Sequence, residues 1–307
     1  MKVLNKLNLK NVVFFDIETV ALYDELPENS PTWDAWQYKM ERDGKSTDNL
    51  PESYKKTAAL YPEFSKVVCI SIGRIKGNKL NLKSYSGEEK ELLQNFTDDL
   101  NLVTDAIPKT LLCGQAIIGF DVPFLFRRCL VNGIQPHDLL DVSDKKPWEV
   151  LDTMIDTNVL WKGTGFNGAS LIAIANAFGL PSPKDDISGA DVGRVFYSEG
   201  EAGLNRIITY CEKDVLAVAN VVRKCRFEDV LEPIHSIDDS EEVFEKQPLI
   251  ISLFNGGSFN EKQQKELTDL YNKCSNKAAA MVVLEAMTST AKGKITKVTK
   301  AWLKTLK

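Results

Sequence analysis

The 307-residue chain is 43 % hydrophobic and 26 % charged. That composition excludes wholesale disorder, collagen-like repeats and a disulfide-rich miniature fold. The net charge of −5 is uneven: residues 272–307 hold eight lysines against one acid, a net +7, which leaves −12 for the rest. An acidic body does not exclude a nucleic-acid partner, because nucleases that hold metal ions concentrate carboxylates at the site and place basic residues locally.

Length alone allows about two domains. No apolar run approaches the roughly 20 residues that cross a bilayer. The first residues carry no apolar stretch followed by a small-residue cleavage site. A cytoplasmic chain with nothing removed and no membrane partner is expected. The six cysteines form no CxxC pair, so they read as buried free thiols. Only His137 and His235 are present, so histidine-dependent chemistry has few candidates.

In chain order, residues 11–18 read as a Val- and Phe-rich strand interrupted by acids. Residues 21–62 are polar, with Pro27, Pro31, Pro51 and Pro62 around Trp33, Trp36 and Tyr38. They read as an insertion with some helix. It either touches nucleic acid or packs over the sheet edge. Strands over 66–74 and 79–85 follow, joined by a hairpin turn at 76–78. Helical spacing covers 87–101, with Leu92, Leu93, Phe96 and Leu100 on one side.

An apolar strand is predicted over 110–120, then a helix over 121–133 with Asp121 as N-cap and Pro123 in its first turn. A strand over 151–157 precedes a helix over 171–178, capped by Ser170 and ended by Gly179. One unbroken helix is expected over 202–223. The whole predicts a mixed α/β sheet covered by helices, occupying residues 1–235. An acidic linker over 236–257 and a basic helical extension over 258–307 complete the expected organisation.

Three short motifs carry chemistry. Asp16-Ile17-Glu18 sits on the first strand, where positions i and i+2 share a face, so both carboxylates converge. Two like charges beside Phe14 and Phe15 are costly without a cation between them. A strand end that reaches water gives the same motif. Asp121 in GFDVPFLFRR reads equally as an ordinary helix start. Tyr210 and Asp214, four apart, share a helix face, as any surface pair does.

Their combination is more specific. FFDIET (14–19), IIGFDVPFL (117–125) and YCEKD (210–214), together with SLIAIANAFGLPSPK (170–184), resemble the DEDDy 3′–5′ exonucleases of the RNase H-like fold. The chain looks most like the proofreading exonuclease domain of family-B DNA polymerases, and a stand-alone exonuclease is expected. The resemblance covers about residues 10–225. It implies an RNase H-like mixed sheet flanked by helices, and hydrolysis of single-stranded DNA from the 3′ end to nucleoside 5′-monophosphates. That activity would serve replication, repair or recombination.

It also implies two Mg²⁺ or Mn²⁺ ions. Asp16 would bridge both, Glu18 and Asp214 would complete the first, and Asp121 would hold the second. Tyr210, with Glu18, would orient the attacking hydroxide. Thr19, Gln115, Phe120 and Phe124 are the expected substrate contacts, with aromatic stacking as the natural grip on a base. The chain departs from the family at Ala116, where an Asn usually stands five residues before the Asp. Thr209 stands where the histidine subtype has its His.

An exoribonuclease uses the same chemistry, and a catalytically silent nucleic-acid-binding module is the rival of another class. A polymerase or other replication partner acting in trans is the expected protein partner. Gly163-Thr-Gly165-Phe-Asn-Gly168 matches GxGxxG. It lies late in the chain and away from any first strand, so no dinucleotide cofactor is expected. In the tail, Ile295, Val298, Trp302 and Leu306 oppose Lys294, Lys297, Lys300, Lys304 and Lys307. This pattern suits a docked helix with a solvated lysine face, or phosphate contact.

Overall fold

The computed structural model describes residues 4–107, 109–183 and 186–235. The linker over 236–257, the extension over 258–307 and Cys274 lie outside the described residues.

The first strand, β1 (Val12–Ala21), is central to the sheet. It pairs antiparallel with β2 (Ser65–Lys76), which pairs antiparallel with β3 (Lys79–Ser86). The β2–β3 connection is a two-residue turn at Gly77-Asn78, with Gly77 at φ 64°, the conformation that such a turn demands. On its other edge β1 runs parallel to β4 (Leu111–Gly114), and β4 runs parallel to β5 (Met154–Asp156), which follows the one-turn helix α5 (Pro147–Val150). With β6 (Glu232–His235) beyond β3, the order is β5-β4-β1-β2-β3-β6. This is an RNase H-like mixed sheet flanked by helices, as the sequence predicts.

The period of two along β1 divides the core. Val13, Phe15 and Ile17 face α3 (Glu89–Ala106) and α4 (Asp121–Val131), packing against Leu93, Phe96, Val122 and Leu125. Val12 and Phe14 face the opposite layer, α7 (Leu171–Ala177) and the C-terminal part of α8 (Val192–Cys225). Val20, on that same face, packs with Ile207, Tyr210 and Cys211 of α8. Asp16 and Glu18 therefore lie on the α8 face, between apolar anchors on either side along the strand.

Residues 21–62 form a satellite core. Helices α1 (Pro31–Arg42) and α2 (Leu50–Thr57) are N-capped by Ser30 and Asn49, and each carries a proline in its first turn. They close over Trp36, which is fully buried and stacks edge-on against Tyr54 and Phe64. Its indole N–H donates to Ser53 Oγ at 2.9 Å. Trp36 thus serves packing and offers no face to a base, whereas Tyr38 is exposed.

The strand over 110–120 and the cap of the helix after it differ from expectation. The strand over 110–120 stops at Gly114, and the chain turns through Ala116 at φ 60°. A Cβ on Gly114 would sit 2.7 Å from the Phe15 carbonyl oxygen, so only glycine allows the close turn. The N-cap of α4 is Phe120, which leaves Asp121 as the first helical residue with its carboxylate aimed elsewhere. The helix expected over 202–223 is present and unbroken as the C-terminal part of α8, which extends back to Val192 across a break at Gly200 (φ 58°, ψ −136°).

Among the described residues, the free cysteines Cys69, Cys113, Cys129 and Cys211 are buried and Cys225 is partly so. No described helix is long and apolar enough to cross a membrane.

Candidate metal centre

The site forms where β1 faces α8. Asp16 lies opposite Ser71 and Glu18 opposite Cys69, and the register slips by one residue after Glu18. Such a bulge bends the strand where side chains must be re-aimed. Helix α8 presents Tyr210, Cys211 and Asp214 on one face, all buried. The ligating atoms of Asp16, Glu18 and Cys211 lie within 4.8 Å of one another. The Cys211 thiol sits 3.4 Å from the Asp16 carbonyl oxygen and 3.5 Å from its Oδ2. The phenol of Tyr210 donates to Asp214, one helical turn on.

The fourth carboxylate arrives from the other layer. Strand β4 pairs with β1 only as far as Phe14, so β1 has an open edge beyond. Asp121 takes the Ile17 amide there, between the two acids of the first motif. Its 4 % exposure leaves almost no water to solvate the charge.

The electrostatics follow from this crowding. Burial, then Glu18, Asp121 and Asp214, push the Asp16 carboxyl well above its ordinary range. Burial is the largest cause at Asp121, where Asp156 and Asp214 add to it and backbone amides oppose it; the carboxyl is pushed up to about 7. Burial together with Asp214, Glu18 and Asp16 raises the Tyr210 phenol far above its usual value. Burial likewise raises the Cys211 thiol, so it stays protonated. The charges acting on Asp16 are all negative. A hard divalent cation matches this oxygen-rich donor set and would cancel the repulsion.

The expected substrate contacts fare unevenly. Phe124 is 1 % exposed and packs into the α3–α4 layer, 5.2 Å from the Phe120 ring. It cannot stack on a base, because its ring is enclosed in that layer, whereas Phe120, at the N-cap ahead of the helix, lies nearer the surface. Phe120 is half-buried. Thr19 spends its hydroxyl on the Ala59 carbonyl at 2.8 Å, tying the insertion to β1. The Gln115 amide is engaged at both ends, donating to the Ala169 carbonyl and accepting from Thr157 Oγ1. It braces the loop before α7. A 210 Å³ cavity adjoins Tyr210, lined by Asp186, Asn205, Arg206, Thr209 and Lys213 among others.

The glycine run at 163–168 follows α6 (Thr157–Lys162), so it leaves a helix and not a strand. That is not the strand–turn–helix unit of a dinucleotide site. Cys211 and Asp156 were not marked as site residues by the sequence. Cys211 directly follows Tyr210, and nothing in its spacing separates it from the other buried thiols. Asp156 ends β5, and two of its partners, Ala116 and Ile118, lie about forty residues upstream.

A family model for the RNase_H superfamily matches residues 57–226. The chain belongs to the RNase_H superfamily. The matched span contains Asp121, Tyr210 and Asp214; Asp16 and Glu18 precede it. No curated protein sequence matches this one. Among solved structures, the chain is similar to the family B DNA polymerase from the hyperthermophilic archaeon Pyrobaculum calidifontis. The identity is 16 % and the TM-score 0.47, over 70 % of this chain and 24 % of the polymerase chain.

Proposed function

We propose that this protein is a metal-dependent 3′–5′ exonuclease of the DEDDy type acting on single-stranded DNA. The observation that carries the reading is the gathering of the Glu18, Asp121 and Asp214 carboxylates close enough to Asp16 to act on it, with Tyr210 beside them. Membership of the RNase_H superfamily supports nuclease chemistry in general. The motif order resembles that of DEDDy enzymes and supports the finer assignment.

Asp16, Glu18 and Asp214 would hold one Mg²⁺ or Mn²⁺, and Asp16 with Asp121 a second. When bound, such ions neutralise phosphate charge and lower the pKa of a bound water. Burial, with the surrounding carboxylates, holds Tyr210 protonated. Its role is therefore to orient the attacking water through a hydrogen bond and not to remove a proton. The cavity beside Tyr210 brings Arg206 and Lys213 within reach of substrate phosphates. Arg206 is itself aligned by Asp186 and Glu199. The half-buried ring of Phe120 remains available to a terminal base.

The test is digestion of a 5′-labelled single-stranded DNA by the full chain with Mg²⁺, Mn²⁺ or EDTA. Asp16→Ala and a matched RNA run in parallel. A ladder that shortens from the 3′ end, lost with EDTA and in the variant, supports the reading. Folded wild type that cleaves neither polymer with either metal overturns it, and faster cleavage of RNA overturns the DNA assignment.

A further inference from the structure

We infer that Asp156 is a positioning residue that sets the place of Asp121, and with it the affinity of the site for its second cation. The inference rests on the nuclease reading above and goes beyond it, since Asp156 belongs to none of the three motifs.

Asp156 is the last residue of β5 and is 4 % exposed. Its Oδ1 accepts the amides of Ala116 at 3.0 Å, Asn158 at 2.9 Å and Val159 at 3.3 Å, and its Oδ2 accepts the Ile118 amide at 3.1 Å. Two of these bonds cap α6. The other two reach across to the turn that leaves β4. That turn holds Ala116 at φ 60°, a left-handed conformation that is unfavourable for a residue with a Cβ. Something must over-determine it, and the Asp156 carboxylate grips it on both sides of Ile117.

The turn then closes on itself. The Gly119 and Phe120 amides donate to the Ala116 carbonyl, and the Val122 amide to Ile117. Asp121 follows directly, and its carboxylate meets the Ile17 amide beside Asp16 and Glu18. One buried carboxylate thus fixes the path of the chain that delivers another. Residues that hold a ligand in place from behind typically change metal affinity about 10–100-fold when replaced.

Substitution separates the two halves of the role. In Asp156→Asn, one amide oxygen can still cap α6, but the NH₂ group opposes the Ile118 amide, donor against donor. Asp156→Ser keeps a capping oxygen that is too short to span to the turn. Calorimetric titration of the full-length protein with Mn²⁺ reads the effect, with near-UV circular dichroism as the check on packing. Two ions are expected for wild type. In Asp156→Asn the tighter ion should bind as before and the weaker one at least about tenfold more weakly. Raised Mn²⁺ should then restore cleavage, and Asp156→Ser should behave alike.

Wild-type affinity for both ions in the two variants overturns the inference alone. Equal loss of both ions together with the near-UV signal overturns it as well, because Asp156 would then serve the fold and not the site. Wild type that binds no divalent ion overturns the nuclease reading and this inference together.

Discussion

The metal-free site should make the protein lose stability as pH rises through neutrality, and a divalent ion should reverse that slope. The carboxyl of Asp121 has an ordinary value of 3.8 and is pushed up to about 7 in the fold, chiefly by burial. Below about pH 4 it is protonated in both folded and unfolded chains and costs nothing. Between about pH 4 and pH 7 the unfolded chain gives up its proton while the folded one keeps it. Stability therefore falls through that window and levels off above about pH 7. At about 1.4 kcal/mol per tenfold difference in proton affinity, the full loss is roughly 4 kcal/mol. For a domain of this size each kcal/mol shifts Tm by about 2–4 °C, so a fall of roughly 10 °C is expected in EDTA.

The assay is thermal unfolding by circular dichroism from about pH 5 to about pH 8, for wild type and Asp121→Asn. Other carboxylates titrate too, so the difference between the two proteins is what counts. The variant has no proton to lose and should show a shallower fall. With Mn²⁺ present, protons compete with the ion, and wild type should gain stability as pH rises. Parallel pH profiles for wild type and Asp121→Asn in EDTA would refute the claim that Asp121 is buried among like charges.

Asp16→Asn should raise the metal-free Tm by several degrees at about pH 8 while weakening Mn²⁺ binding at least about tenfold, read by the same melts and by calorimetry. Tyr210→Phe should lower single-turnover cleavage of DNA about 10²-fold or more with Mn²⁺ affinity unchanged, because the variant loses one orienting hydroxyl and no ligand. Arg128 is buried and bonded to Glu89 and the Pro62 carbonyl. Arg128→Ala should cost about 3–5 kcal/mol in urea unfolding, since Glu89 is left behind with its charge. Ala116→Gly should add about 1 kcal/mol in the same assay by relieving the left-handed backbone.

What the sequence made legible followed local rules. The period of two in NVVFFDIE places both acids on one face of β1, and the spacing of four in YCEKD aligns Tyr210 with Asp214. What it hid was non-local. IIGF after Cys113 is apolar enough to extend a strand, yet the chain turns at Ala116 because Asp156, forty residues on, captures its amides. No window around Ala116 contains that carboxylate. Phe124 flanks the second motif as closely as Phe120 does, and only the depth of the α3–α4 layer decides which ring meets solvent.

The position of the acids along β1 has an energetic logic. Phe14 on one side and Val20 on the other are fully buried on the face that carries Asp16 and Glu18. Val215 and Ile207 of α8 anchor in those same two clusters, on either side of Tyr210 and Asp214. The strand and the helix are thus fastened above and below the carboxylates, so mutual repulsion cannot push the two elements apart. A site free to relax would let the acids splay toward water and lose its affinity for cations. Pinned this way, the repulsion has no structural outlet, and in the nuclease proposed above the apolar core would convert a cost in folding into affinity for metal.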